Sequence, residues 1–233
     1  SGNERFFVHL CSGGKRERDL VQCVEELFLE HGMLVHGLRI DPLAPMSSHQ
    51  WHFQCNDLLE TESSLGLLQL VQHGRVLGMF ASPPCSTFSA ARHRRLSRTK
   101  RGPVPLRTRS SPWLCIEGRH ERQQQQVLVG TCLTWICFGM LGELRVKGGW
   151  TGFGHPADPE VEPKPSVFHS PEVELLKSKA RLQYYVTHQC RFGAQSRKPT
   201  GLLLPSGCDP FVRHCNHVCH LPLVGWDTKQ QCS

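Results

Sequence analysis

The stretch SPPCSTFS, residues 82–89, places a cysteine between a proline pair and several hydroxylic residues. An apolar run typical of a buried strand comes just before it, so Cys85 would lie directly after the end of that strand. A thiol in this position is either a small buried residue or, as the thiolate, a nucleophile. Arginines begin a few residues later, which favours a nucleophile beside a loop that binds nucleic acid.

The positive charge of the 233-residue chain is concentrated in one segment. The formal net charge is +7, and eight basic residues with no acidic residue among them lie between positions 92 and 109. They are Arg92, Arg94, Arg95, Arg98, Lys100, Arg101, Arg107 and Arg109. Without them, 19 basic residues face 20 acidic ones, so the rest of the chain is close to neutral. Such a segment is typical of a contact with a phosphate backbone, although a solvated loop without a ligand has the same composition.

Small or acidic residues also follow three other predicted strands. The turn CSGG, residues 11–14, follows the first strand, Asp41 the second and Asp57 the third. Ligands of parallel sheets bind at these carboxyl ends. The small residues would let the backbone approach a ligand, and the two acids would accept hydrogen bonds from ribose hydroxyls and an adenine amino group. The pattern suits an adenosyl ligand, but an Asp at a strand end is as often a turn former or an N-cap.

The elements that would position these groups alternate between strand and helix. Apolar runs predict strands at Phe6–Leu10, 33–41, 52–57 and 75–82, and a helical period predicts helices at 18–31 and 64–73. Further along, the patterns predict a helix at 121–141, a short helix capped by Ser170, and strands near 150–153, 182–190 and 200–205. The alternation predicts a Rossmann-like α/β fold with a mostly parallel, doubly wound sheet.

Length and composition indicate one domain with an appendage. We expect an α/β domain at 1–204, with a long irregular basic loop at 92–118, and a Cys/His-rich tail at 205–233. The sequence shows no run of 18 apolar residues and no signal-peptide pattern, which predicts an intracellular protein, nuclear or cytoplasmic, without a membrane partner. Neither GxGxxG nor GxxxxGK[ST] occurs, which disfavours dinucleotides and ATP.

Twelve cysteines are many for a chain of this length. Disulfide frameworks belong mainly to short secreted domains, so we expect most of these cysteines to be reduced thiols in the core. The tail also carries histidines, and both residue types bind zinc. The paired CxxC and HxxxH spacings of zinc sites are missing, so we assign no metal ligand. The cysteines and histidines of the tail are therefore either ordinary loop residues or the ligands of a structural zinc site.

Three motifs resemble those of the DNA (cytosine-5) methyltransferases. SPPCSTFS resembles their catalytic motif, which is Pro-Pro-Cys followed by x-x-Phe-Ser. VHLCSGG, residues 8–14, resembles the first motif, which holds S-adenosylmethionine, and FGAQSRKPTGLLL, residues 192–204, resembles a Gln-x-Arg-x-Arg motif that leads into a strand. The order of the motifs agrees with that family. The resemblance implies that the Rossmann-like fold is of the S-adenosylmethionine-dependent methyltransferase type.

The same resemblance implies roles for individual residues. Cys85 would add to C6 of a cytosine that has left the base stack, and a methyl group would pass from S-adenosylmethionine to C5. Arg197 would orient the base or the Cys85 loop. Binding of S-adenosylmethionine is implied for Leu10, Cys11, Ser12, Gly13, Asp41, Asp57 and Pro83. Contacts with DNA, with RNA left open, are implied for Ser89, Arg92, Arg94, Arg95 and Arg98.

The chain also differs from that family. His9 stands where the first motif has an acid, and Pro199 stands where the last motif has its second arginine. The family's Glu-Asn-Val motif corresponds to Gly154 and His155 here, so the glutamate that contacts N3 of the cytosine is missing. Loss of one such group lowers a rate by about 10²–10⁴-fold.

These differences leave several functions open. The first is a cytosine-5 methyltransferase with impaired activity, and the second is an inactive module that binds nucleic acid; a partner chain could supply missing parts. A carboxylate near Cys85, such as Glu143 or Asp158, would favour the enzyme. A third class methylates exocyclic amino groups with Asp/Asn/Ser-Pro-Pro-aromatic, but Cys85 cannot stack on a base as an aromatic residue does.

Overall fold

The computed structural model describes residues 4–14, 17–42, 56–93, 103–192, 194, 198–208 and 213–216. These residues form six strands and four α-helices. The elements are β1 (Phe6–Leu10), α1 (Leu20–Glu30), β2 (His36–Ile40), α2 (Thr61–Gln72), β3 (Val76–Ala81), α3 (Glu121–Val146), β4 (Trp150–Pro156), α4 (Pro171–Ala180), β5 (Leu182–His188) and β6 (Pro199–Pro205). Three short 3₁₀ helices span Ala90–His93, Val167–His169 and Gln189–Phe192.

The strands form one sheet in the order β2-β1-β3-β4-β6-β5. Pairs β1–β2, β1–β3 and β3–β4 are parallel, whereas β6 is antiparallel to both of its neighbours, β4 and β5. Five strands therefore run in one direction and β6 runs in the other. The predicted Rossmann-like α/β fold with a mostly parallel sheet is confirmed by this topology.

Helices cover both faces of the sheet, as the doubly wound prediction requires. On one face, Val21 of α1 packs with Phe7 and Val35 in a small apolar cluster. On the other face, α2, α3 and α4 pack over a larger core that includes Leu141 and Phe153, both fully buried. The carboxyl ends of β1, β2, β3 and β4 consequently lie along one edge between the two helical layers.

Local signals account for the helix boundaries. The Asp19 carboxylate accepts a hydrogen bond from the N–H of Gln22 at 3.0 Å and pairs with Arg39 of β2 at 2.7 Å, so it both caps α1 and ties it to the sheet. The hydrogen bonds from Arg39 lower the Asp19 pKa to about 2. Gly32 follows α1 with φ of +73°, a conformation that favours glycine. Ser170 caps α4 as predicted, since its side chain accepts from Val173 N.

Two of the predicted elements differ clearly from the structure. Residues 52–55 of the predicted third strand lie outside the described part of the chain, and Asn56 and Asp57 form no strand. The predicted 121–141 helix continues to Val146. By length and composition α3 could cross a membrane, and 56% of its most apolar window is buried in this fold. It contacts α2, α4, β3 and β4, as the central helix of a folded core does.

The cysteines are less buried than expected. The nine in the described ranges are free thiols, and of these only Cys137 and Cys190 are buried. From the tail, residues 213–216 lie against the end of β5, where His188 N donates to Arg213 O at 3.0 Å. Within the described residues no group of three or more His, Cys, Asp or Glu side chains could hold a metal. The boundary at residue 205 stays a prediction.

Candidate active site

Two adjoining cavities open at the carboxyl edge of the sheet, with volumes of about 430 Å³ and 290 Å³. The nucleophile cavity, as we call the larger one after the role predicted for Cys85, is lined by His9, Cys11, Ser12, Gly13, Phe80, Ser82, Pro83, Cys85, Gly154, His155, Pro156, Gln189, Lys198, Thr200 and Leu202. The adenosyl cavity, as we call the smaller one after the ligand that the sequence predicts, is lined by Cys11, Ile40, Asp41, Pro42, Asp57, Leu58, Leu59, Pro84, Val129 and Leu133. Because Cys11 lines both, the cavities meet at the turn after β1.

Backbone conformation and one carboxylate hold the turn after β1 in place. Cys11 and Gly13 both have positive φ, at 53° and 71°. Cys11 N donates to Ile40 O at 2.8 Å, and Gly13 N donates to the Asp41 carboxylate at 3.0 Å. Asp41 therefore serves the fold as a turn residue, and it also lines the adenosyl cavity.

The other predicted cofactor residues divide between the cavities and the core. Asp57 lines the adenosyl cavity, and its carboxylate also accepts from Leu59 N at 2.9 Å. Ser12 and Pro83 line the nucleophile cavity. Leu10 lines neither cavity, since its side chain is fully buried in the core, and its carbonyl accepts from Ser82 N at 3.0 Å. Its role in this structure is to fix the start of the Pro-Pro-Cys segment.

Cys85 lies half-buried in the wall of the nucleophile cavity. Pro83 before it is buried, and the carbonyl of Cys85 accepts from Phe88 N at 3.0 Å, which closes a turn. Phe88 is buried beneath this turn. The thiol is thus presented from a fixed turn at the end of β3, which is the position that the sequence predicted.

Arg107, which the sequence placed in a basic loop, is instead fully buried under this turn. Its guanidinium donates to Thr87 Oγ1 at 2.9 Å, to Thr131 Oγ1 at 2.9 Å and to Val127 O at 2.8 Å. It also lies 4.1 Å from the centre of the Phe88 ring. Burial lowers its pKa to about 10, so the side chain stays charged at neutral pH. Arg107 therefore joins the Cys85 turn to α3.

Other members of the basic segment are also held inside the fold. Arg92 donates to Ser86 O at 2.7 Å and to Val104 O at 3.0 Å. Arg109 forms a two-bond ion pair with Asp158, with Nη2 and Oδ2 at 2.9 Å. Ser89 lies half-buried before the 3₁₀ helix Ala90–His93. The predicted nucleic-acid residues Arg94, Arg95 and Arg98, and the predicted catalytic residue Arg197, lie outside the described residues.

None of the described residues that line the nucleophile cavity is an aspartate or a glutamate. Glu143 lines grooves beside α3, and Asp158 is paired with Arg109. At Gly154, a Cβ atom would lie 3.0 Å from Phe80 Cζ and 3.4 Å from Leu202 Cδ2. The Phe80 ring thus crowds the space that a glutamate side chain at residue 154 would need.

His155 of β4 is the unusual polar residue of this site. It is 3% exposed, it lines the nucleophile cavity, and neither ring nitrogen has a hydrogen-bond partner among the described residues. Phe88 and Phe153 pack against its ring, with centroids at 4.9 Å and 6.0 Å. Burial, together with the charges of Arg107 and Lys198, lowers its pKa to about 3, so the imidazole is neutral at pH 7.

Sequence reasoning found Cys85 and the turn after β1, but it missed part of the cavity wall. Gln189 lies just after β5, Thr200 is the second residue of β6, and Lys198 lies just before β6. These positions could have been found only from the antiparallel placement of β6 beside β4, which brings the start of β6 to the end of β4.

Comparisons with known proteins give little further information. No family model matches the sequence, and no curated protein matches it. Among solved structures, the chain is similar to the S. pombe Dnmt2 methyltransferase, with 11% identity and a TM-score of 0.36. The match covers 87% of this chain and 51% of that one, so the present chain spans about half the length of that structure. A TM-score of this size does not establish a common fold, and the fold assignment depends on the strand order.

Proposed function

We propose that the protein binds S-adenosylmethionine and methylates C5 of cytosine in DNA, with Cys85 as the nucleophile. The observation that carries the proposal is the pair of cavities that meet at Cys11. A methyl donor in one cavity would reach a base held against Cys85 in the other. The combined volume falls within the range of small-molecule sites.

The residues of the adenosyl cavity fit an adenosine. The aliphatic side chains of Ile40, Leu58 and Leu133 would cover a planar base, and the carboxylates of Asp41 and Asp57 would accept from hydroxyl and amino groups. S-adenosylmethionine supplies an electrophilic methyl group when bound. The protein's part is to hold a cytosine against the Cys85 sulfur, which reacts as the thiolate.

A direct test is covalent trapping on DNA that contains 5-fluorocytosine, in the presence of S-adenosylmethionine. We expect a complex that survives denaturing electrophoresis with the wild type and with Cys23→Ser, whose thiol is exposed on α1. We expect no complex with Cys85→Ser. A wild-type protein that forms no complex, although calorimetry shows S-adenosylmethionine bound, would rule out the catalytic role.

The second candidate function is a module that binds nucleic acid without methylating it. The observation that favours it is the lack of a carboxylate among the described residues that line the nucleophile cavity. This function predicts that a fluorescent DNA duplex binds, in a salt-dependent manner, with equal affinity to the wild type and to Cys85→Ser, and that neither protein is trapped.

A further inference from the structure

Two cysteine thiols meet beside the junction of the two cavities. Cys11, in the turn after β1, lines both cavities. Its side chain also packs against the core cluster that contains Cys137 of α3, and the two thiols hydrogen-bond to each other. Leu133, one helical turn before Cys137, lines the adenosyl cavity together with Cys11. The contact between the thiols therefore lies next to the wall of that cavity.

The two members of this pair differ in their access to solvent. Cys137 is fully buried, so a dissolved oxidant cannot reach its sulfur directly. Cys11 is half-buried and borders two cavities that open at the edge of the sheet. The hydrogen bond between the thiols, together with burial, raises the pKa of Cys137 well above its ordinary value, so this thiol stays protonated at neutral pH. An oxidant thus meets the Cys11 sulfur first, with a second thiol in contact behind it.

We infer that Cys11 and Cys137 form a disulfide when hydrogen peroxide enters the cavities. The Cys11 thiolate attacks one peroxide oxygen and the O–O bond breaks. A sulfenic acid forms, and the hydroxide that leaves takes up the proton that Cys11 had lost. The Cys137 sulfur then attacks the Cys11 sulfur, the S–O bond breaks, and the hydroxyl leaves as water with the proton of Cys137. Two thiols are oxidised by two electrons, and one peroxide is reduced to two waters.

The disulfide and a ligand of the two cavities should exclude each other. A ligand that spans both cavities passes Cys11 and shields its sulfur, because this residue lines both. A covalent bond is shorter than the hydrogen bond that it replaces, so the disulfide draws Cys11 toward α3 and pulls on the turn that Ile40 and Asp41 hold. This exclusion rests on the proposed function, since it takes S-adenosylmethionine as the ligand, whereas the disulfide itself does not.

The first test is peptide mapping by mass spectrometry after treatment with hydrogen peroxide and alkylation of the remaining thiols. We expect a disulfide-linked peptide pair that contains Cys11 and Cys137. The control Cys132→Ser, half-buried on the same helix, should keep this pair, and Cys137→Ser should leave Cys11 as a sulfenic acid that dimedone traps. A wild type without this link, or with Cys11 linked to Cys85 instead, would overturn the inference.

A second measurement separates the disulfide from the proposed function. S-adenosylmethionine at about ten times its calorimetric dissociation constant should slow formation of the disulfide about tenfold, because only the free protein reacts. The oxidation rate of Cys23, whose thiol is exposed on α1, should not change. If the disulfide forms but calorimetry detects no binding of S-adenosylmethionine, the thiol pair stands and the proposed function fails. If S-adenosylmethionine binds without slowing the disulfide, the exclusion between the two is refuted.

Discussion

Acid should destabilise this protein through His155, and the structure gives the size of the effect. The pKa of a histidine is 6.5 in the unfolded chain and about 3 at this buried site. Below pH 6.5 the histidine therefore binds a proton in the unfolded state but stays neutral in the native state. The stabilisation is complete above pH 6.5 and is lost progressively as the pH falls toward 3.

Between pH 7 and pH 5 this difference in proton uptake corresponds to about 2 kcal/mol in the free energy of unfolding. Other groups contribute to acid sensitivity as well, among them Asp19 and Asp158, whose pKa values are also lowered. The comparison with His155→Phe removes those contributions, because the variant keeps every other titrating group.

The assay is urea unfolding, followed by tryptophan fluorescence, of both proteins at several pH values from 7 to 5. The advantage of His155→Phe over the wild type should grow by about 2 kcal/mol as the pH falls through this range. A stability difference that stays constant with pH would refute the reasoning, because it would mean that His155 titrates equally in both states.

Two further changes test the framework around the site. Arg107→Lys should lower the free energy of unfolding by about 3 kcal/mol, because a lysine cannot reproduce the hydrogen bonds to Thr87, Thr131 and Val127. Urea unfolding measures this difference, and a change below about 0.5 kcal/mol would contradict the prediction. Asp158→Asn should cost about 2 kcal/mol, because the partly buried Arg109 then keeps only the more distant carboxylate of Glu162, at 3.9 Å, and the loss should shrink in the Arg109→Met background of a double-mutant cycle.

The fold could be predicted from the sequence wherever a local signal sets it. The Phe6–Leu10 strand has the predicted ends because its apolar run stops at small residues. Helix α1 begins after Asp19, which caps it, and ends before Gly32, which has a positive φ, and both effects involve only residues that are close in the sequence. Cys85 was placed correctly for the same reason, since the proline pair fixes the turn next to it.

The parts of the site that escaped prediction depend on residues far apart in the chain. Arg107 is buried because Thr87 and Thr131, 20 and 24 residues away, receive its hydrogen bonds. In the sequence it is one arginine among eight. The unpaired state of His155 likewise follows from the packing of Phe88 and Phe168, which no spacing along the chain reveals.

The burial of Arg107 also limits how strongly the basic segment can respond to salt. Each phosphate that a protein neutralises on duplex DNA contributes about −0.9 to the slope of log affinity against log salt, through release of a condensed counterion. Arg107 is fully buried and Arg109 is paired with Asp158, which leaves six of the eight basic residues. The segment can thus release about six counterions at most, and a slope steeper than about −5.4 would have to draw on another surface.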